Sequence, residues 1–130
     1  MTIGQILLFG YREMADIALA YRRAGNKTRF DEAMVILDAA NQDSLKQGIQ
    51  AIFLFLLLAT QHALAGDTEQ ALKRLAEAID GGLIISVKIS KEYPYFRDLD
   101  GNVEYEAIQA RMIEHLNHER ALLGLEPIST

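Results

Sequence analysis

Two histidines near the end of the chain form its most metal-like cluster. His115 and His118 stand three residues apart, with Glu114 and Glu119 beside them. Because residues three and four apart share one face of a helix, His115 could supply two zinc ligands together with His118 or Glu119. The order of an HExxH site and a third neighbouring ligand are both missing, and a solvated helix face accounts for the same residues. We therefore predict no metal site.

A second group of oxygen-bearing side chains runs from Asp98 to Glu104, in the sequence DLDGNVE. A calcium-binding EF-hand loop requires glycine at its sixth position and glutamate at its twelfth. Here the glycine, Gly101, is fourth and the twelfth residue is Gln109. A turn followed by a helix N-cap explains these residues with fewer assumptions, so we predict that alternative instead of a calcium site.

The sequence offers little for catalysis. It has no cysteine, which excludes disulfides, thiolate zinc sites and cysteine nucleophiles. Glycine-rich phosphate loops, serine elbows and nucleophile–base pairs are also missing. An acid–base pair would have to be assembled from distant residues such as His62 and Glu69, and packing at the core or its boundary is the simpler role for His62. We predict that the chain is not an enzyme and has no cofactor.

Composition and charge narrow the class of protein further. The 130 residues are 50% apolar and 24% charged, with a net charge of −5, as expected for one globular domain without a role in coating nucleic acid. The longest apolar run, Ala51 to Ala59, covers nine residues, against about 20 for a membrane span. The start of the chain does not read as a signal peptide. We expect a soluble, cytoplasmic protein that binds neither nucleic acid nor membrane.

Helical periodicity runs through most of the chain and predicts five main helices. Their predicted bounds are residues 3–24, 30–40, 43 or 44–65, 68–79 and 100 or 102–123. The predicted inward residues are Ile6, Phe9 or Gly10, Met14, Ile17 and Tyr21 in the first helix, Ala33, Leu37 and Ala40 in the second, and Tyr105, Ile108, Met112 and Leu116 in the last. The stretch 83–101 contains LIISVKI, but no second strand could pair with it. We predict a short helix or an extended packed segment there.

The predicted helices form two pairs with matching residue spacing. The second pair reads Phe55-x2-Leu58-Ala59-x2-His62, then Gly66-Asp67, then Ala71-x3-Leu75 and Ala78. A weaker copy upstream reads Met14-x2-Ile17-Ala18-x2-Tyr21, then Ala33-x3-Leu37 and Ala40. Small residues at these positions let antiparallel helices approach closely. Met14 and Phe55 are 41 residues apart, and aligning Ala33 with Ala71 predicts three extra residues in the first turn, GNKTRF.

This spacing resembles the tetratricopeptide-repeat superfamily over about Met14 to Gly82, although the usual period is about 34 residues. Phe55 stands at the tryptophan position, Ala59 at the glycine position and His62 at the tyrosine position. The tail, with YPYFRDL before the last helix, looks like the segment that closes tetratricopeptide arrays in large bacterial regulators. In those proteins the array often follows a cyclase, kinase or winged-helix domain.

The resemblance implies an all-α fold, a right-handed stack of antiparallel helix pairs in a single domain, 1–130. The repeat-like units would cover about 11–43 and 52–82, and a cap about 83–125. In this superfamily the inner helix of each pair lines the ligand groove. The positions carried over to this chain are Arg12, Leu19, Arg22, Arg23, Phe53, Leu56, Thr60 and Ala63. The family's clamp for C-terminal carboxylates uses lysine and asparagine and is not matched here.

The function expected from the resemblance is protein–protein interaction, in which a peptide or partner domain binds in the groove. The basic cluster Arg22, Arg23, Lys27 and Arg29 suits either an acidic peptide or a solvated helix end. Tyr93, Tyr95 and Phe96 are expected to pack in the cap or to form a binding hot spot. The chain could serve as the scaffold or sensory part of a bacterial signalling or transcriptional regulator, or as a free adaptor.

An alternative function is homo-oligomerisation. Two repeats are fewer than the three or so that a solenoid usually needs, so an apolar end face could remain. The third helix and the N-terminal apolar residues could bury that face against a symmetry mate as a homodimer. Those N-terminal residues are Ile3, Ile6, Leu7, Leu8 and Phe9.

Overall fold

A computed structural model describes residues 3–48, 51–85 and 88–129, with the side chains of residues 3–9 left outside that description. Every regular element in these ranges is helical, which confirms the predicted all-α class. The elements are α1 (Ile3–Arg23), α2 (Lys27–Lys46), α3 (Ala51–Leu64), α4 (Thr68–Asp80), α5 (Ile89–Glu92), a 3₁₀ helix (Pro94–Leu99) and α6 (Val103–Leu122). None of the described helices is both long enough and apolar enough to cross a membrane.

The first four helices form two hairpins, α1 with α2 and α3 with α4. Within each hairpin the two helices are joined by a turn of the same conformation. Gly25 and Gly66 take left-handed backbone angles, with φ of 73° and 79°, which glycine adopts without a steric penalty. Asn26 and Asp67 follow as N-caps, and each side chain accepts a backbone N–H bond of 3.2 Å. The prediction of three extra residues in the first turn is therefore wrong.

The second helix of the first hairpin, α2, has 20 residues against 13 in α4, and it is longer than predicted at both ends. Asp43 and Ser44, predicted to cap the third helix, lie within α2, where Ser44 is buried. The helix ends at Lys46, and Gly48 just beyond it has a positive φ of 69°, as Gly25 has after α1. Serine and aspartate cap a helix only where the chain enters it from outside, and no break precedes them here.

The inward face of α1 differs from the predicted stripe. Tyr11, Ala15, Ala18 and Leu19 are buried, whereas Ile17 is exposed, as is Gly10. Met14 and Tyr21 are half-buried, and the predicted Ile6 and Phe9 lie outside the described side chains. The alanines on the buried face of α1 let the neighbouring helices approach closely. The smallest residues therefore face the core, and the spacing of the bulky residues predicts the wrong face. In α2, Ala33 and Leu37 are buried as predicted, and Ala40 is half-buried.

The hydrophobic core divides at α3, the apolar helix expected to be central. Leu57 packs with the first hairpin, while Leu56 packs with α4, the segment after it and α6. Tyr95 and Phe96 divide in the same way, since Tyr95 belongs to the first cluster and Phe96 to the second. The stretch before α6 therefore joins both halves of the core.

The described residues after α4 follow the sequence prediction closely, and residues 86 and 87 of the predicted stretch lie outside the description. Residues 89–99 form the short helix α5 and a 3₁₀ helix that begins at Pro94, so the prediction of a short helix or packed segment is confirmed. The Asn102 side chain caps α6 by accepting the Tyr105 N–H at 3.1 Å. The inward residues Tyr105, Ile108 and Met112 are buried, and Leu116 is half-buried.

Candidate interaction surfaces

Residues 92–98 lie against one side of α1, and we call them the aromatic segment. At one end, the Arg12 guanidinium donates to the Glu92 carbonyl oxygen at 3.1 Å, lies 3.5 Å from the Glu92 carboxylate and stacks 4.8 Å from the centre of the Tyr93 ring. At the other end, Arg22 binds the Asp98 carboxylate at 2.9 Å. Arg12 and Arg22, both predicted to line a peptide groove, are thus engaged with an acidic, aromatic segment of their own chain.

The middle of the aromatic segment is fixed by Tyr95 and Phe96, both buried. The Tyr95 hydroxyl lies 2.5 Å from the Asp16 carboxylate and 3.2 Å from the Arg12 carbonyl oxygen, both on α1. The two rings meet edge to face with centroids 6.5 Å apart, an arrangement that favours aromatic pairs. Of the two roles expected for these aromatic residues, they therefore take the packing role.

Arg22 also closes the end of α3. Its guanidinium donates to the carbonyl oxygens of Ala63 and Leu64 at 3.2 and 3.1 Å. The last carbonyls of a helix lack partners within the helix and carry partial negative charge, so a cation there is favourable. Arg22 thereby links α1, α3 and the aromatic segment, and it acts as a structural residue in this conformation.

The eight residues predicted to line a groove do not form one open surface. Leu19, Leu56 and Thr60 are buried in the core, and the Thr60 hydroxyl donates to the Leu56 carbonyl at 2.9 Å within α3. The prediction that these three line an accessible groove is therefore corrected. All three are buried in the core because α3 has neighbouring helices on both sides. Of the remaining predicted residues, Phe53 and Ala63 are half-buried and Arg23 is exposed.

A buried polar network joins the first three helices, and the sequence reasoning missed it. The Tyr11 hydroxyl donates to the Leu57 carbonyl at 2.8 Å, and the Asn41 amide donates to the Tyr11 oxygen at 3.0 Å and to the Gln61 side-chain oxygen at 2.5 Å. Asn41 is only 1% exposed. Its position was a usable signal, because it lies four residues after Leu37 and so continues the inward stripe of α2.

Four tyrosines have raised pKa values in the folded chain. Burial is the main cause for each of Tyr11, Tyr93, Tyr95 and Tyr105, because it disfavours the phenolate. For Tyr95, the hydrogen bond to the Asp16 carboxylate and its negative charge raise the pKa further. Each of these residues therefore packs in the fold as the neutral phenol.

These tyrosines predict a loss of stability in alkali. An unfolded tyrosine has a pKa of about 10, and the folded values lie above it, so the stabilisation is complete below pH ~10 and is lost as the pH rises further. We expect phenolate absorbance from these four residues to appear together with the loss of helical circular dichroism. Full ionisation of all the tyrosines near pH 10, with helicity intact, would contradict this assignment.

The candidate zinc ligands and the candidate catalytic histidine lie on different helices, α6 and α3. His115 and His118 are exposed on α6 beside exposed glutamates, and no group of three potential metal ligands gathers within the described ranges. His62 is half-buried, with its Nδ1 atom 3.9 Å from the Asp67 carboxylate. In the segment DLDGNVE, Asp100 accepts the Ser90 hydroxyl at 2.8 Å and Asn102 caps α6, which matches the turn and cap expected there.

A second surface lies on the outward side of the first hairpin. Val35 is 70% exposed and Ile36 is 51% exposed, and the neighbouring Ala39 is exposed as well. Leu45 near the end of α2 is also exposed. We call Val35, Ile36 and Ala39 the outer patch of α2. The N-terminal residues 3–9, expected to contribute to such an end face, lie outside the described side chains.

The covered side of α1 and the outer patch of α2 are two candidate interaction surfaces of the described chain. The first is filled by the aromatic segment, and the second faces outward. Comparison with protein-family models, with curated proteins and with solved structures finds no match to this chain.

Proposed function

We propose that this chain is a protein–protein interaction module that docks through the outer patch of α2. The exposure of Val35 and Ile36 carries the proposal. Single exposed apolar side chains are normal on protein surfaces, but these two are adjacent and stand beside Ala39 on the same helix. Adjacent exposed apolar side chains of this kind offer another protein a surface to cover.

Binding of a peptide to the covered side of α1 is the weaker candidate, for an energetic reason. A partner there would have to displace Tyr95 and Phe96, and each aromatic side chain buries about 150–250 Å². At roughly 25 cal/mol per Å², exposing both would cost about 8–12 kcal/mol. A peptide with a Kd of about 1 μM supplies only about 8 kcal/mol. Only an unusually tight ligand would therefore open this side.

The paired hairpins support a tetratricopeptide-like organisation as part of the proposal. Their turns share a left-handed glycine and a side-chain cap at positions 41 residues apart. We propose that two such units, closed by α6, form a short right-handed stack. By the same resemblance, the module would act in the cytoplasm as a scaffold or sensory part of a bacterial signalling or transcriptional regulator.

We propose a second copy of the chain as the partner, which makes the module a means of homo-oligomerisation. The outer patch lies on a long, regular helix, and helices pack well against like helices when small and branched apolar residues meet. The patch itself carries no charge, so two copies can approach there in spite of the net charge of −5 on each. An isologous contact of this kind closes at two copies.

Solution mass tests the proposal. Light scattering on the full chain across a series from about 10 μM to 1 mM, a range suited to weak interfaces, should show the mass rising from 14.5 kDa towards twice that value. Circular dichroism on the same samples checks that the chain is helical throughout. A strictly monomeric mass over the whole series would contradict self-association.

A further inference from the structure

The charges on α2 are arranged symmetrically about the outer patch. Arg29 and Asp43 each stand seven residues from Ile36, on opposite sides of it. Seven residues make about two helical turns, so the three side chains lie along one stripe of the helix. All three are exposed. The stripe therefore reads basic, apolar, acidic from its beginning to its end.

We propose that α2 pairs with α2 of a second copy in antiparallel orientation, about a two-fold axis that passes Ile36. This geometry deepens the proposed self-association and rests on it. A two-fold axis places each residue opposite the one equally distant on the other side of Ile36. Arg29 of each copy then faces Asp43 of the other copy, which gives two equivalent ion pairs around an apolar centre.

Charge also excludes a neighbouring register. If the axis moved to the point between Leu37 and Asp38, Arg29 would face Lys46 of the other copy, and Glu32 would face Asp43. Like charges placed opposite each other oppose association, whereas the register centred on Ile36 avoids them. Arg29 also binds Glu32 within its own helix at 3.0 Å, and a guanidinium with five N–H donors can serve both carboxylates.

The small size of the contact is consistent with a weak dimer. Two turns on each side of the axis give a contact about 21 Å long, which fits within a helix of 20 residues. One helix pair buries less than the roughly 1,200 Å² of a standard interface. We expect a reversible dimer with a Kd on the order of 10–100 μM.

The first test changes the centre of the contact. Ile36→Asp places a carboxylate from each copy at the axis and should raise the dimer Kd at least about 100-fold, because burying unpaired like charges strongly opposes association. Val103→Asp is the control, since Val103 is 84% exposed at the start of α6 and this substitution also replaces an exposed branched apolar side chain with a carboxylate. Sedimentation equilibrium measures the dimer Kd of both variants, and circular dichroism checks their helicity. A dimer that survives Ile36→Asp would overturn the proposed interface.

The second test reads the register from charge reversal. Arg29→Asp alone and Asp43→Arg alone each create two repulsive pairs, and each should raise the Kd about 10-fold. An equimolar mixture of these two variants should associate again, because only the mixed dimer has opposite charges at both ends. If both variants stay helical but the mixture does not associate, the antiparallel register is wrong. A monomeric wild type would instead contradict self-association as a whole, so the two failures are distinguishable.

Discussion

Phe96→Ala is expected to lower the free energy of unfolding by about 3–5 kcal/mol, the usual cost of removing a large aromatic side chain from a packed core. The Phe96 side chain is 0% exposed and packs in the cluster that includes Leu99, Tyr105 and Met112. A domain of this size is stable by only about 5–15 kcal/mol, so the loss is a large fraction of the total. Urea unfolding followed by circular dichroism measures it.

Phe30→Ala is the matched control for Phe96. Phe30 is half-buried on the first hairpin, so the same substitution leaves a smaller cavity, and we expect less than half the loss of stability. If Phe96→Ala costs under about 1 kcal/mol, the aromatic segment is not anchored as described. The covered side of α1 would then be open to a peptide partner, and the weaker candidate function would become the better one.

Asn41→Asp is expected to lower the free energy of unfolding by a similar amount at neutral pH, about 3–5 kcal/mol. Asn41 is 1% exposed and donates to Tyr11 and Gln61. An ionised aspartate in its place would be a buried charge that can donate no hydrogen bond. Burial would raise the pKa of this carboxyl above the unfolded value of about 3.9.

The raised pKa gives Asn41→Asp a distinct pH signature. Below pH ~4 the acid is protonated in both states, so the variant comes closest to the stability of the wild type; the difference grows as the pH rises through the folded pKa. Unfolding curves between about pH 3 and 8 measure this dependence. Gln42→Glu adds the same charge at an exposed neighbour and should change stability by less than about 0.5 kcal/mol. A difference independent of pH would contradict the buried position of Asn41.

Local signals in the sequence were sufficient for much of the helical framework. The run Ala51–Ala59 is apolar on every side, so it predicted the central helix that now divides the two core clusters. Gly25-Asn26 and Gly66-Asp67 marked both hairpin turns. The sequence argues against a strand near residue 85, because a strand needs a partner to satisfy its backbone and no second strand could pair with it. These features depend on residues close together in the chain.

Other features required neighbours that the sequence order does not reveal. Ser44 reads as a helix cap by its type, but it lies buried inside α2 because the helix continues to pack beyond the predicted end. In the same way, the buried side of α1 is set by Ala15 and Ala18, which permit close contact with other helices. Hydrophobic spacing gives the period of a helix, but the adjoining helices decide which side becomes the core.

The arginines of α1 show this division between sequence and tertiary structure most clearly. The resemblance placed Arg12 and Arg22 in a peptide-binding groove, and Arg22 also belongs to the basic cluster that suits an acidic peptide. Only the fold places Glu92, 80 residues away, beside Arg12, and Asp98, 76 residues away, beside Arg22. A charge pattern specifies what kind of group an arginine can bind. Which carboxylate comes within about 4 Å depends on how α3, α4 and the following turns return the chain to α1.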